Sequence, residues 1–204
     1  MRINKKKFIY LISPNNIYSK FYQDLEKVLK TGKVSFFQMR LKKYSLRQKI
    51  LIGKKIHKIC KNNYVKFLVN DDPRLSKKLD ADGCHLGQKD MCLSEARKII
   101  GNKILGITCH NSIKLAKMAI KEKASYIAFG AFYSTTTKNV KFKASTKILN
   151  KVKKLTKTPI VAIGGINFNN YKKLLLNNAN LLAISGYVWN NKKYKPIESI
   201  KKLK

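Results

Sequence analysis

A chain of 204 residues with 44% apolar content can bury a full hydrophobic core, and no run of about 18 apolar residues is present to cross a bilayer. The formal charge of +35 would ordinarily point to nucleic acid or an acidic membrane. The basic residues are nearly all lysine, however, with arginine only at Arg2, Arg40, Arg47, Arg74 and Arg97, and they are scattered among many Asn and Ile residues. That is the composition of an AT-rich genome, so neither a specific nucleic-acid partner nor a membrane partner is expected, although the charge favours polyanionic small molecules.

The N-terminal run MRINKKKFIYLIS has the basic start of a secretion signal, but its apolar part is too short and no small-residue cleavage site follows. Phe8–Ser13 is therefore expected to be a first core strand, ended by Pro14-Asn15-Asn16. Apolar residues at Phe21, Leu25, Val28 and Leu29 predict a helix over Tyr18–Lys30, stopped at Thr31-Gly32. Val34–Arg40 is the second strand, with Gln38 and Arg40 on one face and Lys42 just beyond. Tyr44–Cys60 reads as a long helix whose apolar face includes Gly53, where a missing side chain permits close packing. Lys66–Val69 and Cys84–Leu86 are strands three and four, flanking a short helix at Arg74–Leu79 and a turn at Asp82-Gly83.

Leu93–Ile100 is helical and Ile104–Thr108 is strand five, followed by Cys109-His110-Asn111 and a helix to about Glu122. Tyr126–Gly130 is strand six, followed by a threonine-rich loop over Ala131–Lys141 and a helix over about Ala144–Leu155. Pro159–Ile163 is strand seven, ending in Gly164-Gly165. A seventh helix reaches Asn177 or Asn178, Leu181–Ser185 is strand eight, and Pro196–Lys204 is a last helix. Eight strand–helix alternations predict one (β/α)8 TIM barrel domain over residues 1–204. The strands are short, continuous apolar runs, as expected when both faces are buried. No GxGxxG follows the first strand, which argues against a dinucleotide fold. Cys60, Cys84, Cys92 and Cys109 form no CxxC pair and no metal-ligand spacing, which fits reduced thiols in a cytoplasmic protein.

In a barrel of parallel strands all C-terminal ends open on one side, where ligands bind. Two of these ends are soon followed by a carboxylate, Asp71 after strand three and Asp90 after strand four. Taken singly, Asp71 or Asp72 could cap the helix after Pro73, and Asp90 the helix after Leu93. In a chain with only ten Asp plus Glu, the repeated pattern favours a shared site for one hard cation such as Mg2+. The remaining strand ends carry Gln38, Arg40, Lys42, Asn70, Gln88, Thr108, His110, Thr135, Thr137, Lys138, Gly164-Gly165 and Ser185-Gly186. Cations, hydroxyls and glycine amides so placed suit more than one phosphate group.

These strand ends resemble one family in order and spacing. Gln38-Met39-Arg40-Leu41-Lys42 is similar to the Q-x-R-x-K element of thiamine phosphate synthases. It is followed in that family's order by Asn70-Asp71, by Asp82-Gly83-Cys84-His85-Leu86-Gly87-Gln88-Lys89-Asp90-Met91, by Gly130 with Thr135-Thr136-Thr137-Lys138, by Ala162-Ile163-Gly164-Gly165-Ile166 and by Ile184-Ser185. The resemblance covers nearly the whole chain and implies a (β/α)8 barrel. It also implies that a hydroxymethylpyrimidine diphosphate loses pyrophosphate to a thiazole phosphate, giving thiamine phosphate.

By the same resemblance Asp71 and Asp90 hold Mg2+, while Arg40, Lys42, Asn70 and Lys138 clamp the diphosphate with Thr108 close to the leaving group. Gln38 contacts the pyrimidine, and Thr135, Thr137, Gly165, Ile184 and Ser185 bind the thiazole phosphate. No general base is expected. Asp72 stands where many members carry arginine, and Ala131 and Ser134 stand where prolines are common. Two alternatives remain at this point. A thiazole tautomerase of the same superfamily would use a histidine at the position of His110, and a basic RNA-binding protein would need exposed aromatics among its lysines. Homo-oligomer formation is left open.

Overall fold

The computed structural model describes residues 7–135 and 142–203. Eight parallel strands close into a barrel in the order β1 to β8. They are β1 (Ile9–Ile12), β2 (Val34–Met39), β3 (Lys66–Asn70), β4 (Gly83–Leu86), β5 (Ile104–Thr108), β6 (Tyr126–Gly130), β7 (Ile160–Ile163) and β8 (Leu181–Ile184). Helices follow them as α1 (Phe21–Leu29), α2 (Leu46–Asn62), α3 (Pro73–Lys78), α4 (Leu93–Ile100), α5 (Ile113–Lys121), α6 (Thr146–Lys153) and α7 (Tyr171–Leu176), with α8 (Gly186–Trp189) and α9 (Pro196–Lys202) closing the chain. Every strand predicted from the sequence is present, with ends within a residue or two. The one element that was not anticipated is α8, whose four residues are too short for any periodic signal.

Side-chain alternation divides the apolar residues into two layers. Ile9, Leu11, Phe37, Met39, Phe67, Val69, Leu105, Ile127 and Leu182 point outward and pack with helix residues such as Phe21, Leu25, Ile56, Leu149 and Leu174. Tyr10, Ile12, Phe36, Leu68, Tyr126, Ala128, Val161, Leu181 and Ala183 fill the barrel interior. Both faces of each strand are thus covered, which is why the strands read as unbroken apolar runs rather than alternating ones.

Local signals set the helix boundaries. Ser45 and Gln48 form a reciprocal capping box at the start of α2. Gly53, on the inner face of α2, sits so close to Leu79 that an added Cβ would fall 2.5 Å from its Cδ1, so the packing anticipated for this glycine is realised. Asp72 caps α3 by accepting from the Leu75 amide at 2.9 Å, with Pro73 in the first turn. Trp189 of α8 donates its indole N–H to the Ile12 carbonyl at 2.7 Å, fastening the end of β8 to the end of β1.

Candidate active site

The ends of β2, β3, β4 and β5 bring the predicted polar residues together. Asp71 follows β3 in the left-handed region, at φ 65°, and its amide donates to the His85 carbonyl of β4 at 2.8 Å. Because Asp72 takes the capping role, Asp71 is left to face the barrel mouth. Asp90 caps nothing either: α4 begins after Cys92 without a side-chain cap, and the Asp90 carboxylate accepts from the Gly87 amide at 2.7 Å. The resulting tight turn aims it at Asp71, and the two carboxyls are in hydrogen-bond contact.

The pair is electrostatically asymmetric. For Asp71 burial alone would raise the pKa, but the contact with Asp90 and the Lys42 ammonium, 3.0 Å away, outweigh it and hold the carboxyl below its usual range. For Asp90 burial raises the pKa, the Gly87 amide partly offsets this, and the neighbouring Asp71 charge raises it further. Asp90 is therefore the carboxyl of the pair that gives up its proton less readily.

These groups meet the chemical requirements for Mg2+. Among the described residues no cluster of three or more His, Cys, Asp and Glu side chains could hold a metal, so the thiolate and imidazole sets favoured by zinc are lacking. One or two carboxylate oxygens are what Mg2+ commonly takes from a protein, the rest of its shell being water and substrate phosphate.

Arg40 lies beside this pair. Burial lowers its pKa, and the Asp71 carboxylate counteracts that. Its guanidinium donates to Asn15 Oδ1 at 3.2 Å, and its amide donates to the Ser13 hydroxyl at 2.9 Å. The Ser13 carbonyl in turn accepts from the Ser185 hydroxyl at 3.1 Å. Buried Ser13 therefore ties the β2 side of the mouth to the β8 side, a role that sequence reading did not assign. A serine at the end of a fully buried strand was the available signal, because a buried hydroxyl must find partners.

On the β6–β8 side, Gly164 and Gly165 have φ of 105° and 62°. A Cβ on Gly165 would lie 2.2 Å from the Ser134 carbonyl oxygen, so the absent side chain lets the segment leading to Thr135 lie against the β7 loop. The Tyr133 amide fixes that approach by donating to the Gly164 carbonyl at 3.1 Å. Ile184 faces the outer layer and is buried there, so only its main chain can meet a ligand at the mouth. Thr137 and Lys138 lie outside the described residues. His110, with φ 52°, stacks its ring on Phe142 at 4.3 Å.

Gln38 and Thr108 are both turned into the barrel. Gln38 is only 2% exposed and donates its amide N–H to the Tyr10 hydroxyl at 2.8 Å. Thr108 Oγ1 lies 2.9 Å from His85 Nε2, while its carbonyl accepts from the Gln88 side chain at 2.6 Å. Asn70 pairs in register with His85, which places it at the same level of the barrel.

A closed parallel barrel with paired carboxylates, Arg40 and Lys42 on one side of its mouth and a glycine turn on the other is the framework of an enzyme for phosphate-bearing small molecules. Residues 9–188 match the family model described as thiamine monophosphate synthase. The thiamine-phosphate synthase of Pelagibacter ubique is 66% identical over the full length of both chains. That of Erythrobacter litoralis is 39% identical over 89% of this chain and 87% of its own. Among solved structures, the thiamine phosphate pyrophosphorylase of Pyrococcus furiosus superposes with a TM-score of 0.84 at 25% identity, covering 98% of this chain and 95% of that one. The chain belongs to the thiamine monophosphate synthase family.

Proposed function

We propose that this enzyme joins a hydroxymethylpyrimidine diphosphate to a thiazole phosphate and releases pyrophosphate, forming thiamine phosphate. The observation that carries the reading is the Asp71–Asp90 contact with Lys42 and Arg40 alongside it, within a member of this family. The bond between the pyrimidine methylene carbon and the diphosphate oxygen breaks, and its electron pair leaves with pyrophosphate. The thiazole nitrogen then donates its lone pair to that carbon, giving a thiazolium product. Since a neutral ring nitrogen has no proton to lose, no general base is required.

Within this reading Arg40, Lys42, Asn70 and Lys138 hold the diphosphate and Thr108 stands beside the leaving oxygen. Asp71 and Asp90 would hold Mg2+, which would supply Lewis-acid neutralisation of diphosphate charge. Lys42 and Arg40 gain most as negative charge collects on the leaving group, so they favour the transition state over the bound substrate. Gln38, fixed through its amide nitrogen by Tyr10, retains a carbonyl oxygen to offer the pyrimidine. Thr135, Thr137, Gly165, the Ile184 main chain and Ser185 receive the thiazole phosphate. A tautomerase would have no use for the carboxylate pair and cation clamp, which is the reason to prefer the synthase.

The test is product formation from the two substrates with and without Mg2+. Metal-dependent thiamine phosphate is expected; isomerisation of a thiazole carboxylate phosphate without coupling would instead assign the tautomerase reaction.

A further inference from the structure

Four hydrogen bonds link five side chains across the barrel interior. Gln38 Nε2 donates to Tyr10 Oη at 2.8 Å, Tyr10 Oη lies 2.8 Å from Tyr126 Oη, and Tyr126 Oη lies 2.8 Å from His85 Nδ1. His85 Nε2 then reaches Thr108 Oγ1 at 2.9 Å. Gln38, Tyr10, Tyr126 and His85 are all under 10% exposed, from 0% for Tyr126 to 8% for His85. Packing fixes the geometry independently of the hydrogen bonds. The Tyr126 ring occupies the space beside Gly106, where an added Cβ would lie 1.9 Å from its Cζ. His85 stacks on it with planes 12° apart, and Tyr10 meets it edge-on.

We infer that this chain runs in one direction, from the Gln38 amide to the Thr108 hydroxyl, and that Tyr10, Tyr126 and His85 are positioning residues that turn the Thr108 O–H outward to the ligand. The direction follows from proton counting. An amide nitrogen can only donate, so the Tyr10 oxygen accepts there, and among the described residues its own proton has the Tyr126 oxygen as recipient. Tyr126 consequently gives its proton to His85 Nδ1. A neutral imidazole accepting at Nδ1 carries its hydrogen on Nε2 and donates it to Thr108 Oγ1. The threonine oxygen is then an acceptor on its inner side, and its single hydrogen is left for an anionic oxygen at the mouth. Burial pushes both phenols well above their ordinary pKa, so each keeps the proton that the chain requires.

The inference rests on the placement of Thr108 beside the leaving diphosphate. A donor locked outward before substrate arrives needs no reorientation as charge develops, which is the condition for electrostatic preorganisation. The opposite direction would begin with the Gln38 carbonyl oxygen facing Tyr10. It would put the hydrogen on His85 Nδ1 and turn the Thr108 proton inward, away from the ligand. Thus a buried amide on β2 sets the polarity of a hydroxyl on β5.

His57 supplies an internal reference. Its Nδ1 lies 3.1 Å from the Leu79 carbonyl, an acceptor only, and so it must carry a hydrogen there. Nitrogen-15 NMR of histidine-labelled protein, which has three histidines, should therefore show two opposite neutral tautomers, Nδ1–H for His57 and Nε2–H for His85. Finding Nδ1–H at His85 would overturn the direction. Tyr126→Phe keeps the ring over Gly106 and removes one link; it should lower kcat about 3- to 10-fold with KM within about twofold. The same substitution in a Thr108→Val background should have no further effect, since the chain acts through that hydroxyl. An unchanged kcat in Tyr126→Phe, or an equal loss in both backgrounds, would refute the positioning role. Tyr10→Phe breaks the chain one link earlier and serves if Tyr126→Phe fails to fold. A native protein with no coupling activity would instead overturn the reaction reading, while the His85 tautomer would still report the chain's direction.

Discussion

The two ends of the barrel each hold a lysine–aspartate pair, and the pairs differ in a way that separates structure from function. At the N-terminal end Asp82 accepts from Lys66 Nζ at 2.7 Å through one oxygen and from the Phe67 amide at 2.9 Å through the other. Its carboxylate is fully engaged with neighbours of its own chain, joining the start of β3 to the start of β4. At the C-terminal end Asp71 has Lys42 at 3.0 Å but turns toward a second carboxyl, Asp90. The lower pair completes itself; the upper one places two acids against each other with one lysine nearby. A like-charge pair of that kind destabilises the free protein unless it is protonated or bridged by a cation, so its presence at the ligand-binding end points to use rather than stability.

Asp90→Ala and Asp82→Ala test this contrast most severely. Asp90→Ala should cost about 100-fold or more in kcat at a fixed Mg2+ concentration, with a thermal midpoint close to that of the native protein. Asp82→Ala should leave kcat nearly unchanged and remove about 1–2 kcal/mol of stability, because two hydrogen bonds to a charged acceptor are lost. Steady-state assays and thermal melts on the same preparations measure both, and a reversal of the two patterns would contradict the assignment.

A smaller effect is expected on the opposite side of the mouth. Gly165→Ala puts a Cβ at φ 62°, within 2.2 Å of the Ser134 carbonyl oxygen. The strain and displacement should cost about 2 kcal/mol of stability and should raise KM for the thiazole phosphate more than for the pyrimidine diphosphate. Equal changes in the two KM values would place the glycine turn outside the thiazole site. The mildest contrast is between the two lysines. Lys42→Gln should reduce kcat/KM about 10-fold through the lost phosphate contact. Lys66→Gln should leave activity alone and cost under about 1 kcal/mol, as an exposed ion pair does.

Much of this was legible from residue pattern. The strands could be read because a barrel strand is buried on both faces, and the same property produces short apolar runs such as Tyr126–Gly130 and Ile104–Thr108, whose boundaries match the predicted ones. The polar residues that meet at the barrel mouth, Asp71, Asp90, Arg40 and Lys42 among them, could be grouped because strand ends in this fold share one side. What sequence could not decide was which of Asp71 and Asp72 caps α3: both precede Pro73, and only the backbone geometry gives the cap to Asp72. Asp72, a departure from the family resemblance, thereby has a local purpose as the cap of α3.

Ile184 illustrates another limit, since the family resemblance implied a ligand contact but its side chain faces the outer layer. The interior hydrogen-bond chain was overlooked for a different reason. Tyr10, Gln38, His85 and Tyr126 lie inside apolar strands, where single polar groups were read as parts of strand or motif. The missed signal was collective, because four polar groups turned into one closed interior must bond to one another.

The most direct test of the central claim is Mn2+ binding, followed by electron paramagnetic resonance with Mn2+ standing in for Mg2+ and pyrophosphate present. Native protein and Asp82→Asn should each bind one Mn2+ per chain, and Asp90→Asn should lose that binding while remaining folded. Native-like binding in Asp90→Asn, or its loss in Asp82→Asn, would show that the paired carboxylates at the barrel mouth are not the cation site.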